Sequence, residues 1–120
     1  MIKKTIKYVD YNGNNREEDF YFDFNESEIA EMYVSVDGGL KAYIEKIVKA
    51  DNQAEIIRLF KKLVLDAYGE KSDDGRRFIK SEELSTAFSQ TPAYNKIFME
   101  LATDDKKAAE FVNGIIPQIE

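Results

Sequence analysis

Hydrophobic and polar residues alternate at the start of the chain with a period of two, which predicts a β-strand beginning at Ile2. The residues at 12–14, Asn-Gly-Asn, tolerate a positive φ, so we expect the chain to reverse there. A second strand follows, in which Phe20, Phe22 and Phe24 share one face. Residues 1–24 are therefore predicted to form a β-hairpin with one aromatic side.

The aromatic side of this hairpin needs a cover, because an isolated hairpin is only marginally stable in water. Apolar faces usually pack inward, which favours cover by helices of the same chain. The alternative is a partner protein, which makes Phe20, Phe22 and Phe24 candidate contact residues. Ordinary core packing remains the commoner outcome for any one of the three.

Residues 25–69 show helical periodicity. Asn25 and Glu28 have the spacing of a capping box, in which each side chain satisfies a backbone N–H of the other residue. Breaks between helices are predicted at Asp37-Gly38-Gly39 and Asp51-Asn52, and Gly69 is placed to end the last of these helices. The clearest apolar stripe belongs to that last helix and consists of Ile56, Leu59, Phe60, Leu63, Val64 and Ala67.

A second helical region is predicted over residues 81–117. Ser81 and Thr91, the latter followed by Pro92, have the character of N-caps. Thr103 is expected to start a final helix, which Pro117 ends. The fold class is therefore mostly α (α+β): an N-terminal β-hairpin followed by about five or six short helices in one compact domain, 1–120.

Residues 70–80 are predicted to form an exposed loop or arm between the two helical regions. An aspartate pair before Gly75 suggests a calcium loop, but the loop position that needs a bidentate glutamate is occupied by Ser81. A tight turn at Asp73-Asp74-Gly75 fits the residues better. The candidate contact residues of the arm are Arg76, Arg77, Phe78 and Ile79, with simple packing as the alternative for the last two.

The composition restricts the chemistry that this chain can perform. The 120 residues include no His and no Cys, which removes the commonest general base, the usual zinc ligands and the most reactive nucleophile. A net charge of −6 opposes non-specific binding to nucleic acid or to an anionic membrane. No signal peptide or long apolar run is found, so we expect a cytoplasmic protein without cofactor or metal, and protein binding as its function.

Four segments of the chain resemble a family of tail assembly chaperones from long-tailed (siphovirus-type) phages and prophages of Gram-positive bacteria. They are TIKY, NG and EDFYF within residues 5–22, YGEKSDDGRRF at 68–78, TPAY at 91–94 and NGIIP at 113–117. The order and spacing of these segments match nearly the whole chain, and the segment at 68–78 is the most specific.

The resemblance implies a non-catalytic chaperone with two protein partners. Such chaperones bind the tape measure protein, keep its long apolar helical segments soluble, and help to recruit subunits of the tail tube protein. They work in the host bacterial cytoplasm and are absent from the mature virion. A homo-oligomer is left open, and neither nucleic acid nor membrane is expected as a partner.

Two other classes of function remain at this point. One is a small acidic adaptor or regulatory module of phage or prophage origin that binds a different protein. The other is an enzyme that uses carboxylates and a divalent metal, which would require Asp73 and Asp74 to converge with further acids in a pocket.

Overall fold

The alternating segment forms two antiparallel strands, β1 (Ile2–Val9) and β2 (Asn15–Phe22), in the computed structural model, which describes residues 1–33, 39–49 and 52–115. The register places Ile2 opposite Phe22. Gly13 has a φ of 82° in the connecting turn, a conformation that glycine adopts without steric cost. The predicted hairpin and its turn are therefore confirmed.

Two further strands extend this hairpin into a sheet. They are β3 (Tyr68–Lys71) and β4 (Phe78–Ile79), and the strand order is β1-β2-β3-β4 with every neighbouring pair antiparallel. The sequence predicted a loop or arm over 70–80, and its turn at Gly75 is present with a φ of 73°. The segment is nevertheless anchored to the sheet, because β3 pairs with the end of β2.

Six helices lie in the described residues, which confirms the α+β class. They are α1 (Glu26–Tyr33), α2 (Gly39–Lys49), α3 (Gln53–Ala67), α4 (Glu82–Ser89), α5 (Pro92–Thr103) and α6 (Asp105–Ile115). The capping box is formed reciprocally: the Asn25 N–H donates to Glu28 at 3.1 Å, and the Glu28 N–H donates to Asn25 at 2.8 Å. Ser81 and Thr91 cap α4 and α5 as predicted.

Two predicted helix boundaries are wrong. Thr103 is the last residue of α5, and Asp104 caps α6 by accepting the Lys107 N–H at 3.1 Å. Gly69 does not end α3, which stops at Ala67 because Tyr68 is already extended and enters β3. The breaks predicted at Asp37-Gly38 and Asp51, and the stop predicted at Pro117, fall outside the described residues.

Helices α3 to α6 cover one face of the sheet and bury its aromatic side. The principal core comprises Ile6, Phe22, Phe24, Leu59, Leu63, Val64, Ala67, Tyr68, Phe88, Ala93, Ile97, Leu101, Phe111 and Ile115. On the opposite face, exposed polar side chains pair across β1 and β2, as where Thr5 donates to Asp19 at 2.6 Å. The hairpin is therefore apolar toward the helices and polar toward solvent.

Candidate partner-binding surfaces

Two of the three predicted contact phenylalanines, Phe22 and Phe24, offer almost no surface to a partner. Phe22 is 0% exposed and Phe24 1%, while Phe20 is half-buried with its ring centroid 5.3 Å from that of Phe88. The chain's own helices cover them, which is the cover that apolar faces usually receive. Phe22 and Phe24 are therefore core residues in this conformation, and the half-buried Phe20 and the segment around β4 remain as the candidate surface.

Tyr68 joins the hairpin to the helices through ring stacking. Its ring lies parallel to that of Phe88, with 4.1 Å between centroids and 10° between planes. Burial, followed by the charge of Glu70 and a hydrogen bond to it, raises the pKa of Tyr68 to about 12. The phenol therefore stays neutral over the physiological range, as a core position requires.

The β3–β4 hairpin, residues 68–79 and hereafter the arm, closes through a turn that satisfies its own polar groups. The Ser72 hydroxyl donates to the Asp74 carboxylate at 2.7 Å and accepts the Arg77 N–H at 3.0 Å. The Arg76 N–H, and then the Ser72 hydroxyl, lower the pKa of Asp74. The carboxylate is thus used to shape the turn.

The arm carries charge at its tip and apolar packing at its base. Arg76 and Arg77 are exposed, whereas Phe78 and Ile79 are half-buried. Phe78 packs over Gly69, where a β-carbon would come within 2.8 Å of the ring. Close approach of this ring, rather than a helix stop, is thus the physical reason for glycine at position 69. The two arginines are the accessible part of the predicted contact set.

The Lys80 side chain, which follows the arm directly, forms contacts that connect the arm to the rest of the chain. Its ammonium donates to the Asp23 carbonyl oxygen at 2.5 Å and to the Glu28 carboxylate at 2.7 Å. The same nitrogen lies 4.6 Å from the centroid of the Phe24 ring and 5.8 Å from that of Phe78. One side chain therefore connects the arm, the end of the hairpin and the start of α1. Sequence reasoning missed this residue because its partners are remote in the chain.

A second surface lies on the N-terminal half of α3. Ile56 and Phe60 are half-buried, and among the described residues they do not join the principal core. Ile57 is 45% exposed beside them, and the exposed Arg58 on the same half of the helix pairs with Glu55 at 2.5 Å. The stripe was visible in the sequence, but its incomplete burial was not.

The described part of the chain holds no cluster of acidic side chains that could bind a metal ion. Within residues 1–33, 39–49 and 52–115, no three acidic side chains cluster closely enough to hold a metal ion. A shallow depression of ≈430 Å³ beside the hairpin is lined partly by Lys7, Arg16 and Lys96. Lys96 donates to the Lys7 carbonyl oxygen at 2.6 Å, Arg16 pairs with Asp10 at 2.5 Å, and the Lys7 ammonium lies 4.0 Å from the Glu17 carboxylate, so each of the three cations already has a partner.

None of the described helices combines the length and the apolar character needed to cross a membrane.

Comparison with known proteins identifies the family. No curated protein and no solved structure matches the sequence. The family model described as phage tail assembly chaperone matches residues 1–119, which is nearly the entire chain. The chain therefore belongs to the phage tail assembly chaperone family.

Proposed function

We propose that this chaperone binds the tape measure protein of its phage, keeps that protein's apolar helical segments soluble, and helps to recruit tail tube subunits. The family match across residues 1–119 carries the proposal. The net charge of −6 supports it, because charged complexes repel one another and stay in solution. The protein acts by binding rather than catalysis, in the cytoplasm of a Gram-positive host of a long-tailed phage, and is absent from the finished virion.

The arm is the contact element in this proposal. Arg76 and Arg77 form charge-assisted hydrogen bonds with acidic groups of the partner, while Phe78 and Ile79 hold the arm in place and border the contact. The support is physical: both guanidinium groups are exposed, and the Arg76 side chain keeps 86% of its accessible surface. The Asp74 carboxylate lies 4.0 Å from Arg76 and is engaged with Ser72, so this exposed pair holds the arginine only weakly.

The test is co-expression with the tape measure protein, followed by size-exclusion chromatography and measurement of the soluble fraction. We expect the two proteins to co-elute and the tape measure protein to become soluble. A double reversal, Arg76→Glu with Arg77→Glu, is expected to weaken the complex roughly tenfold at low salt, since two attractive contacts become repulsive. Lys106→Glu is the matched control, because Lys106 is an exposed lysine of α6.

Two results would contradict parts of this proposal. If the tape measure protein stays insoluble and unbound beside the wild-type chain, the function is wrong, and an adaptor for a different protein becomes the better account. If the arginine reversals weaken binding no more than Lys106→Glu does, the arm is not the contact element.

A further inference from the structure

Strand β1 is the long edge of the sheet. The strand order β1-β2-β3-β4 leaves β1 and β4 at the two edges, and β1 has eight residues where β4 has two. An edge strand presents a row of backbone N–H and C=O groups that no neighbouring strand uses, and such a row is a template for pairing with another chain. The outer side of β1 therefore offers a partner a place to add a strand.

The register of the hairpin shows which backbone groups of β1 point outward. The Asp10 N–H donates to the Asn14 carbonyl oxygen at 2.9 Å, so the even-numbered residues of β1 bond to β2. The Lys96 ammonium of α5 donates to the Lys7 carbonyl oxygen at 2.6 Å, which agrees with this alternation because it places that oxygen on the side away from β2. The N–H and C=O groups that point outward are those of Lys3, Thr5, Lys7 and Val9.

The outward row is basic. Strand β1 contains three lysines and no acidic residue, in a chain whose net charge is −6. Lys4 faces the helices and pairs with Glu100 at 2.8 Å, so it is already used. Lys3 lies exposed opposite Tyr21 and forms no ion pair within the described residues. The Lys7 side chain is 80% exposed and its ammonium lies 4.0 Å from the Glu17 carboxylate, an arrangement that holds it only weakly.

Helix α5 borders the same edge on the side of the helices. Lys96, Met99 and Glu100 share one side of α5, because they follow the i, i+3, i+4 spacing. The contacts of Lys96 with the Lys7 carbonyl oxygen and of Glu100 with Lys4 place this side along β1. Met99 is 50% exposed there. A strand added to β1 would thus have one face on the side of the two solvent-facing lysines and the other on the side of an exposed thioether.

We propose that the outer edge of β1 is a docking site for an extended segment of a partner protein in which acidic and apolar residues alternate. The segment adds as an antiparallel strand, like every neighbouring pair in this sheet. Its acidic side chains lie opposite Lys3 and Lys7, and its apolar side chains lie toward Met99. An N–H of the segment replaces the Lys96 ammonium at the Lys7 carbonyl oxygen. The site lies at the opposite edge of the sheet from the arm and is independent of the proposed function.

A second copy of this chain is the poorer occupant of this edge. Two β1 strands side by side would bring two basic strands together with no acidic residue between them, and like charges on neighbouring strands repel. Edge lysines oppose self-pairing in this way and leave the edge open to an acidic strand. Within the hairpin, β2 already supplies an acidic neighbour of this kind, with Glu17 opposite Lys7 and Asp19 opposite Thr5.

The probes are two synthetic peptides of about 10 residues, enough to cover β1 in an extended conformation. Glutamate alternates with valine in one, and lysine alternates with valine in the other. Binding is followed by NMR titration of the β1 amide signals of the full chain, so a peptide bound elsewhere is not counted. At physiological salt, screening over about 8 Å suppresses the effect of distant charges. We expect the acidic peptide to bind this edge at least about tenfold more tightly than the basic one.

Backbone methylation of the acidic peptide tests the strand geometry. In an antiparallel pair, the glutamates opposite the lysines direct their own N–H groups at β1, because directly opposite residues share a face and exchange hydrogen bonds. N-methylation of the glutamates should weaken binding at least about tenfold, whereas N-methylation of the valines should change it by about twofold or less. Amide hydrogen exchange of Lys3, Thr5, Lys7 and Val9 should slow when the unmethylated peptide is bound.

Variants of the chain test the charges. The double reversal Lys3→Glu with Lys7→Glu is expected to weaken the acidic peptide about tenfold and to strengthen the basic one. Lys61→Glu is the matched control, because Lys61 is an exposed lysine of α3, and it should leave both affinities within about twofold. The replaced side chains are exposed, so the variants should retain their fold, which circular dichroism checks.

Several results would overturn the proposal. Equal affinity of the two peptides for the β1 edge would remove the charge argument, as would equal weakening by Lys61→Glu and by the double reversal. Binding that survives glutamate methylation but not valine methylation would contradict the antiparallel strand. Protection of the outward β1 amides that rises with the concentration of the chain alone would show that a second copy occupies the edge.

Discussion

Replacing Lys80 tests whether one side chain holds the arm and α1 to the body. Lys80 is 18% exposed and donates to the Asp23 carbonyl oxygen and the Glu28 carboxylate. Its ammonium also lies over the Phe24 ring at 4.6 Å. Lys80→Met keeps most of the aliphatic stem and removes the charge and its donors, so the loss reports on these polar contacts.

The expected loss follows from the contacts removed. Hydrogen bonds to charged groups contribute about 1.5–3 kcal/mol, and a cation–π contact contributes from about 0.5–1 kcal/mol at an exposed site to about 2 kcal/mol when desolvated. The Glu28 side chain is 29% exposed, so water compensates part of the loss at that end. We therefore expect Lys80→Met to lower the free energy of unfolding by about 2 kcal/mol. At a urea m-value of about 2 kcal/mol/M, the midpoint falls by about 1 M.

The assay is urea denaturation followed by circular dichroism at equilibrium, with Lys106→Met as the exposed control. The control should change the free energy of unfolding by less than about 0.5 kcal/mol. Hydrogen exchange of α1 should also rise in Lys80→Met, because Glu28 of its first turn loses a partner. A loss below about 0.5 kcal/mol with unchanged exchange would refute the role assigned to Lys80.

Four further outcomes are expected. Gly69→Ala should lower the free energy of unfolding by about 1–3 kcal/mol in urea, since its β-carbon would lie 2.8 Å from the Ile79 carbonyl oxygen; a neutral variant would show that β4 moves freely. Lys4 and Glu100 lie 2.8 Å apart, and a double-mutant cycle with Lys4→Met and Glu100→Gln should give a coupling of about 1 kcal/mol. Burial raises the pKa of Glu100, but the hydrogen bond and charge of Lys4 outweigh burial, so the pKa is lowered in the folded chain. The ionised Glu100 therefore stabilises the fold fully above the pKa range of an unfolded carboxyl group, and this stabilisation is lost as pH falls through the folded pKa. The variant Glu100→Gln should lack this acid dependence. Burial raises the pKa of Tyr68 from 10.0 to about 12. The neutral phenol therefore contributes fully to the free energy of unfolding below pH 10, and this contribution is lost as pH rises toward 12. In alkaline denaturation, Tyr68→Phe should not show that loss.

The predictable part of the fold depends on contacts between near neighbours in sequence. The capping box of Asn25 and Glu28 and the caps at Ser81 and Thr91 were identified from three-residue spacings, and the structure forms each of them. The N-cap of α6 shows the limit of this approach, because it was predicted at Thr103 and is found at Asp104. Both side chains can cap a helix, and the choice depends on where the preceding helix ends.

The candidate site was less predictable. The segment 70–80 was expected to be an exposed loop or arm, but pairing of Tyr21 with Gly69 attaches its first strand to the sheet. The helix stop predicted at Gly69 is wrong because glycine also marks a place where another group approaches the backbone closely, which here is the Phe78 ring. Exposure of Arg76 and Arg77 at a turn was foreseeable, whereas the half-buried state of Phe78 depends on what packs beneath it.

Residue types and spacings of a few positions specify the hairpin, the helical periodicity and most caps, and they exclude His and Cys chemistry because the chain has neither residue. Which apolar stripes are buried and which charges meet depends on how the elements pack together. Lys80 contacts residues 52 and 57 positions away, and Lys4 contacts Glu100 across 96 positions. Such contacts depend on the path of the whole chain, so no local pattern encodes them.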